Sequence, residues 1–201
     1  MKEILIATTN LGKINEYRII IGELVPELKV VSLKDLDIKN KIEETGSAYK
    51  ENAALKSRFY CDLTGFPVLA DDSGLEIDYL NGEPGVLSRR WPGYEATDEE
   101  LVEIALQKLQ GVPKEKRGAQ LRAVIAIAIP GEEKISFFEG VLRGFITEKI
   151  AATIIPGFPF RSILYVPERG RVLAEMTAEE EAAISHRKKA LEKARPILEK
   201  L

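Results

Sequence analysis

The chain has 201 residues, enough for one or two domains with a core of their own. Its one cysteine, Cys61, excludes a disulfide framework, and its one histidine, His186, leaves little for a His-based zinc site or a His-centred triad, whereas 32 Asp and Glu residues offer ample oxygen ligands for a hard metal. A net charge of -3 argues against broad electrostatic binding to nucleic acid, and with no basic-then-apolar start and no long apolar span a soluble cytoplasmic protein without nucleic-acid or membrane partners is expected.

KEILIAT predicts a first strand. GKINEYRIIIGEL, with Ile14, Tyr17, Ile21 and Leu24 at helical spacing, predicts a first helix ended by Pro26. LKVVSL predicts a second strand, and TGSAYKENAALKSRFYCDLTG a second helix closed by Gly65 and Pro67, with Cys61 inside it as a buried or half-buried free thiol. That helix feeds a short strand, Pro67 to Ala70, whose unbroken apolar run implies burial on both faces and which delivers Asp71 and Asp72 to its carboxyl end. A loop rich in Gly and Pro, Gly82 to Gly93, then leads to ATDEELVEIALQKLQG, a helix with Thr97 as N-cap and Glu100 three residues on, the spacing of a capping box. AQLRAVIAIAI and KISFFEGVLRGFITE flank Pro130-Gly131 as a β-hairpin, and a single long charged helix is expected from Ala178 onward. Alternating β and α implies a sheet with helices on its faces, and no repeat, linker or low-complexity stretch marks a domain boundary.

Several stretches carry candidate chemistry beside a plainer reading. ATTNLGK lies between the first strand and the first helix, where unpaired amides and the helix dipole favour an anion and Lys13 adds charge. It lacks the GxxxxGK[ST] spacing of a P-loop, and the plainer reading is a strand-to-helix turn capped by Asn10. Asn52 and Lys56 fall one turn apart on one helix face, which more often means a surface ion pair, and Glu43 and Glu44 ahead of that helix can simply complement its dipole. Asp71-Asp72-Ser73-Gly74 can be a solvated turn with Gly74 at positive φ, or a ligand-binding strand end where a cation or proton relieves two adjacent carboxylates.

Taken together, TTNLGK, EETGSAYKENAALK, LADDSGLEIDYLNGEPGVLSRRW and ISHRKKAL, in this order and spacing from Met1 to about Leu191, closely resemble the inosine triphosphate pyrophosphatase family, the XTP/dITP diphosphatases. The resemblance implies an α/β fold, an elongated twisted mixed sheet flanked by helices, forming one domain of two lobes with a central cleft, and a homodimer. It implies a Mg²⁺-dependent hydrolase that converts aberrant purine nucleoside triphosphates (ITP, dITP, XTP) to monophosphate and pyrophosphate. On single residues, Thr8, Thr9, Asn10 and Lys13 match the phosphate loop, Lys56 a second phosphate-contacting lysine, and Ser73 a substrate-contacting serine. Glu44 matches a magnesium ligand, Asp72 both a metal ligand and the base that activates water, and Asp71 an acid supporting the site. Phe158 matches an aromatic that stacks on the purine, and His186 with Arg187 the pair that reads the base edge.

The chain departs from that pattern at GFPFRS, Gly157 to Ser162, where the family's usual motif is Gly-Phe-Gly-Tyr-Asp-Pro: Arg161 takes the position of an aspartate, and Glu181 stands where a lysine is usual. Both changes reverse a charge. A swapped ion pair between them would keep the pocket closed while exchanging donors and acceptors toward the base, so altered or relaxed base selection is expected; the plainer reading has Arg161 in solvent. A nucleotide-binding protein with a divergent base pocket and weak or no catalysis is the alternative. Trp91, beside Arg89 and Arg90, either belongs to a surface that a partner covers or plugs its own lobe.

Overall fold

The computed structural model describes residues 2–201. In chain order its main elements are β1 (Lys2–Ile6), α1 (Leu11–Leu24), β2 (Leu28–Ser32), α2 (Tyr49–Thr64) and β3 (Val68–Ile77), followed by α3 (Asp98–Lys108), β4 (Gly118–Ala128) and β5 (Ser136–Ile146). The chain then passes through β6 (Leu164–Val166), β7 (Arg171–Val172), α4 (Ala178–Ala182) and α5 (His186–Leu198). The strands form one mixed sheet of seven in the order β2-β1-β3-β4-β5-β6-β7. β1 pairs in parallel with both β2 and β3, whereas β5, β6 and β7 pair antiparallel.

That order places the helices. From β1 the chain crosses by α1 to β2 on one side, then by α2 back over β1 to β3 on the other. Right-handed crossovers in opposite directions put the two helices on opposite faces of the sheet. The core agrees: Ile4, Ile6 and Leu69 pack with Tyr17, Ile20 and Ile21 of α1 and Ala190, Leu191 and Ala194 of α5. The alternate residues Leu5, Ala7, Val68 and Ala70 pack instead with Tyr60 and Cys61 of α2. The strand order reverses between β1 and β3, and open α/β sheets bind ligands beyond the carboxyl ends of strands at such a switch.

The chain divides into two compact units, the first running to Asp72 with Ala123–Gly140 and Ala182–Leu201, the second comprising Ser73–Arg122 and Val141–Glu181. In the second unit Leu75, Ile77, Leu101, Val102, Leu142 and Ile163 are fully or almost fully buried. There α3 starts as expected: Thr97 Oγ1 accepts from Glu100 N at 3.2 Å and Glu100 Oε2 accepts from Thr97 N at 2.7 Å.

Three expectations need correction. β3 does not stop at Ala70 but continues through the acidic pair to Ile77, so Ser73 and Gly74 are strand residues and no turn follows the acids. The second helix begins only at Tyr49, with Glu51 as its first-turn acid, so Glu43 and Glu44 lie too far ahead to serve its dipole. The carboxyl-terminal helix is broken in two, because Ser185 caps α5 by accepting from Lys188 N at 3.1 Å, and a capping serine adopts an extended backbone that ends any helix before it. The strands flanking Pro130-Gly131 are sheet neighbours as expected, and Cys61 is a buried free thiol whose pKa burial raises. Among the described residues no helix is long and apolar enough to cross a membrane.

Candidate active site

Side chains alternate across a strand, so consecutive acids in β3 face opposite ways. Asp71 follows Leu69 onto the face covered by α1 and α5, and Asp72 follows Ala70 onto the face covered by α2. The two carboxylates therefore meet different side chains, one from each face of the sheet.

Asp71 is saturated with positive charge. Lys13 Nζ donates to its Oδ1 at 3.3 Å and its Oδ2 at 3.1 Å, and Arg187 Nε donates to Oδ2 at 3.1 Å. Arg187 also donates through Nη1 to Glu16 Oε2 at 3.1 Å. The side chains of Asp71, Arg187 and Glu16 are 1%, 3% and 6% exposed. Burial by itself would raise the Asp71 pKa, but Lys13, Arg187 and Lys56 outweigh it and hold the carboxyl far below the ordinary range. Lys13 is pushed down by burial, against the pull of Asp71, while Arg187 is held charged by Glu16 and Asp71 despite its burial. The Tyr17 phenol lies in the same cluster, its pKa raised well above normal by burial and by the Asp71 charge.

Asp72 has the opposite character. Its Oδ2 accepts from Asn52 Nδ2 at 2.9 Å, and its pKa is raised, first by burial and also by the Glu44 carboxylate, with Lys56 and Asn52 opposing. Lys56 Nζ donates to Glu44 Oε1 and to the Asp71 carbonyl, both at 2.7 Å. The sequence spacing that put Asn52 and Lys56 on one face of α2 thus supplies an inward-facing pair rather than a surface one.

The β1–α1 turn is the capped turn of the plainer reading and carries Lys13 as well. Asn10 Oδ1 accepts from Lys13 N at 3.1 Å and Thr8 Oγ1 from Asn10 N at 3.2 Å, while Thr9 is exposed. His186, 3% exposed, is the first residue of α5, and β5 approaches it so closely that a side chain at Gly140 would run into the His186 carbonyl. The expectation that Arg187 reads a base edge meets a different arrangement, since its guanidinium is committed to two buried carboxylates.

Ser73 and Phe158 belong to the second unit. There Arg161 does not point to solvent: its guanidinium lies 3.4 Å over the Phe158 ring and its Nη2 is 2.6 Å from Glu181 Oε1, both side chains being largely buried. The swapped pair expected from the sequence does form. Trp91 packs within its own unit, edge-on to Phe160 at 6.5 Å, with Lys108 over its ring and its Nε1 donating to Glu83 at 3.3 Å.

The metal expectation can be judged from the donors. Among the described residues no three acidic, His or Cys side chains gather to hold an ion unaided. Glu44 and Asp72 are nevertheless two hard oxygen donors on the α2 side, and the Glu44 charge raises the pKa of Asp72. Mg²⁺ typically binds through one or two carboxylates with waters and substrate phosphates completing its shell, so the pair fits it. Residues absent from the sequence reading of the site are Glu16, one turn after Lys13 on the buried side of α1, and Gly46, whose N donates to Asn52 Oδ1 at 2.8 Å. Nothing local in the sequence marked either.

Comparison with known proteins bears on this geometry. The model of the Ham1 family matches residues 4–197. A dITP/XTP pyrophosphatase of Bacillus licheniformis is 40% identical over 199 residues, covering 99% of each chain, and one of Yersinia pseudotuberculosis is 41% identical over 192 residues, covering 95% of each. Among solved structures, the Ham1 protein of Staphylococcus aureus superposes with a TM-score of 0.81 at 37% identity over 99% of both chains. A HAM1 protein from Coxiella burnetii does so with 0.83 at 37% over 100% of both.

Proposed function

The chain belongs to the Ham1 family, and from that premise we propose that it is a nucleoside triphosphate pyrophosphatase acting on aberrant purine nucleotides of the ITP, dITP and XTP type. The observation that carries the reading is Asp72, a buried carboxylate of raised pKa in contact with Asn52 and flanked by the Glu44–Lys56 pair, beside the turn bearing Lys13. A carboxylate so placed is a better base than an exposed one. It would take the proton from a water that attacks the α-phosphorus, with pyrophosphate leaving and the nucleoside monophosphate remaining.

The triphosphate would lie along the amino-terminal turn of α1, where Thr8, Thr9 and Asn10 bring amides and hydroxyls to an anion. Lys13 and Lys56 would receive the charge that develops on the leaving pyrophosphate, drawing them from Asp71 and Glu44. Glu44 and Asp72 would hold Mg²⁺, which supplies charge neutralisation and a more acidic water. Asp71 acts as a positioning acid, keeping Lys13 and Arg187 in place. In the second unit Ser73 would contact substrate and Phe158 stack on the base. In the first unit His186 and Arg187 would be the pair that reads the base edge.

The family's preference for ITP and XTP is expected to be weaker here. Arg161 offers donors where an acceptor is usual, and a base group left unpaired against them costs about 1 to 3 kcal/mol. The protein is further proposed to act in the cytoplasm as a homodimer of single two-lobed domains. Light scattering that gave only a species near the 22.4 kDa chain mass would reject the dimer. The activity is tested by pyrophosphate release from ITP, XTP, GTP and ATP: release without orthophosphate is expected, and tight binding without release would leave only a nucleotide-binding protein. A strong ITP and XTP preference that survived in Arg161→Ala and Glu181→Ala would remove the selectivity reading.

A further inference from the structure

Asn52 is 0% exposed and hydrogen-bonded to Asp72, the candidate base. Its carboxamide spans two fixed points. Oδ1 accepts from Gly46 N at 2.8 Å, and Nδ2 donates to Asp72 Oδ2 at 2.9 Å. The first bond decides the second. Because a backbone N–H can only donate, the amide must turn its oxygen to Gly46, which leaves its NH₂ for the carboxylate.

Gly46 is itself fitted to this contact. A Cβ there would come within 2.7 Å of both Asn52 Oδ1 and Glu51 Cβ, and its backbone needs no positive φ, so the demand on glycine is for close approach alone. The segment ahead of α2 is therefore pressed against Asn52, and Asn52 in turn against β3. Asp72 thus receives a neutral donor from Asn52, and that hydrogen bond orients the carboxylate from the α2 side.

We propose that Asn52 is a positioning residue for the reaction, transmitting the place of the Gly46 backbone to the Asp72 carboxylate and fixing that carboxylate's rotamer. The inference rests on the reading of Asp72 as the acting base. Partners that orient a functional carboxylate or ligand from behind typically contribute about 10- to 100-fold. A residue that acts only through another should also contribute nothing once that other residue is gone.

The experiment compares Asn52→Leu, Asp72→Asn and the double variant in steady-state and single-turnover pyrophosphate release, with calorimetric binding of a non-hydrolysable triphosphate as the readout that activity does not enter. Expected are a kcat lower by about 10- to 100-fold in Asn52→Leu, KM and analogue affinity changed less than the kcat, and a double variant no slower than Asp72→Asn alone. Gly46→Ala should show the same split in milder form, and it carries the test if Asn52→Leu does not fold. A loss confined to KM or analogue binding, or an undiminished loss in the Asp72→Asn background, overturns the proposal. A wild-type chain that releases no pyrophosphate, or an Asp72→Asn variant that keeps full turnover, overturns instead the reading on which it stands.

Discussion

The two faces of β3 handle one acid each, in opposite ways. On the α1 and α5 face Asp71 sits among Lys13 and Arg187, fully ion-paired and held ionised. On the α2 face Asp72 has an amide donor and a raised pKa. Adjacency in sequence is therefore no guide to shared chemistry in a strand. Alternation separates the two groups, and the helices packed on each face decide which side chains each carboxylate meets.

The largest expected effect on stability comes from breaking the first face. Arg187→Met leaves Asp71 with one cation fewer and Glu16 buried without its guanidinium, and removing one partner of a buried pair costs about 3 to 5 kcal/mol. Denaturant unfolding should show that loss, with a fall in Tm of roughly 2 to 4 °C per kcal/mol for a chain of this size. A change below about 1 kcal/mol, the value of an exposed pair, would mean that the cluster is not a buried ionic unit.

Asp72→Asn should do the reverse. Turnover is expected to fall by about 10²- to 10⁴-fold, the usual contribution of a general base. A carboxyl whose folded pKa is raised favours its protonated form in the native state, so it costs stability once the pH exceeds its unfolded pKa. A neutral amide removes that cost, and Tm in metal-free buffer at pH 7 should rise. A lower Tm would put Asp72 in the same structural class as Asp71.

The pH dependence sharpens the contrast. Because the folded pKa of Asp71 is depressed, its stabilising contribution is present above the unfolded value of about 3.9 and is lost as pH falls below it. The stability gap between wild type and Asp71→Asn, from urea melts, should be flat between pH 8 and 5 and should narrow below about pH 4. A gap that widened on acidification would contradict the ion-paired assignment. The smallest effect belongs to an exposed pair of the second unit: Arg143 holds Asp78, but both side chains are about half exposed, so Asp78→Asn should cost less than about 1 kcal/mol.

Much of this was written locally. Alternating strands and helices, the Thr97–Glu100 capping box, the Asn10 cap and the shared face of Asn52 and Lys56 on α2 follow from spacing and side-chain chemistry, since each depends on residues within one or two turns; that this face turns inward does not. The long blocks around Lys13, Glu44, Asp72 and His186 pointed to the family by resemblance, which the Ham1 match bears out. What sequence alone left undecided were contacts between segments far apart in the chain. β3 outruns its apolar run because neighbouring strands supply pairing partners beyond Ala70. Arg187 meets Asp71 and Glu16 only once α5 packs beside α1, and Arg161 meets Phe158 and Glu181 only inside the folded second unit. A sequence fixes which charges a chain owns and which way each element turns them. Whether two of them become partners depends on burial that tertiary packing creates, because only where water is excluded does a charge have to find a fixed partner.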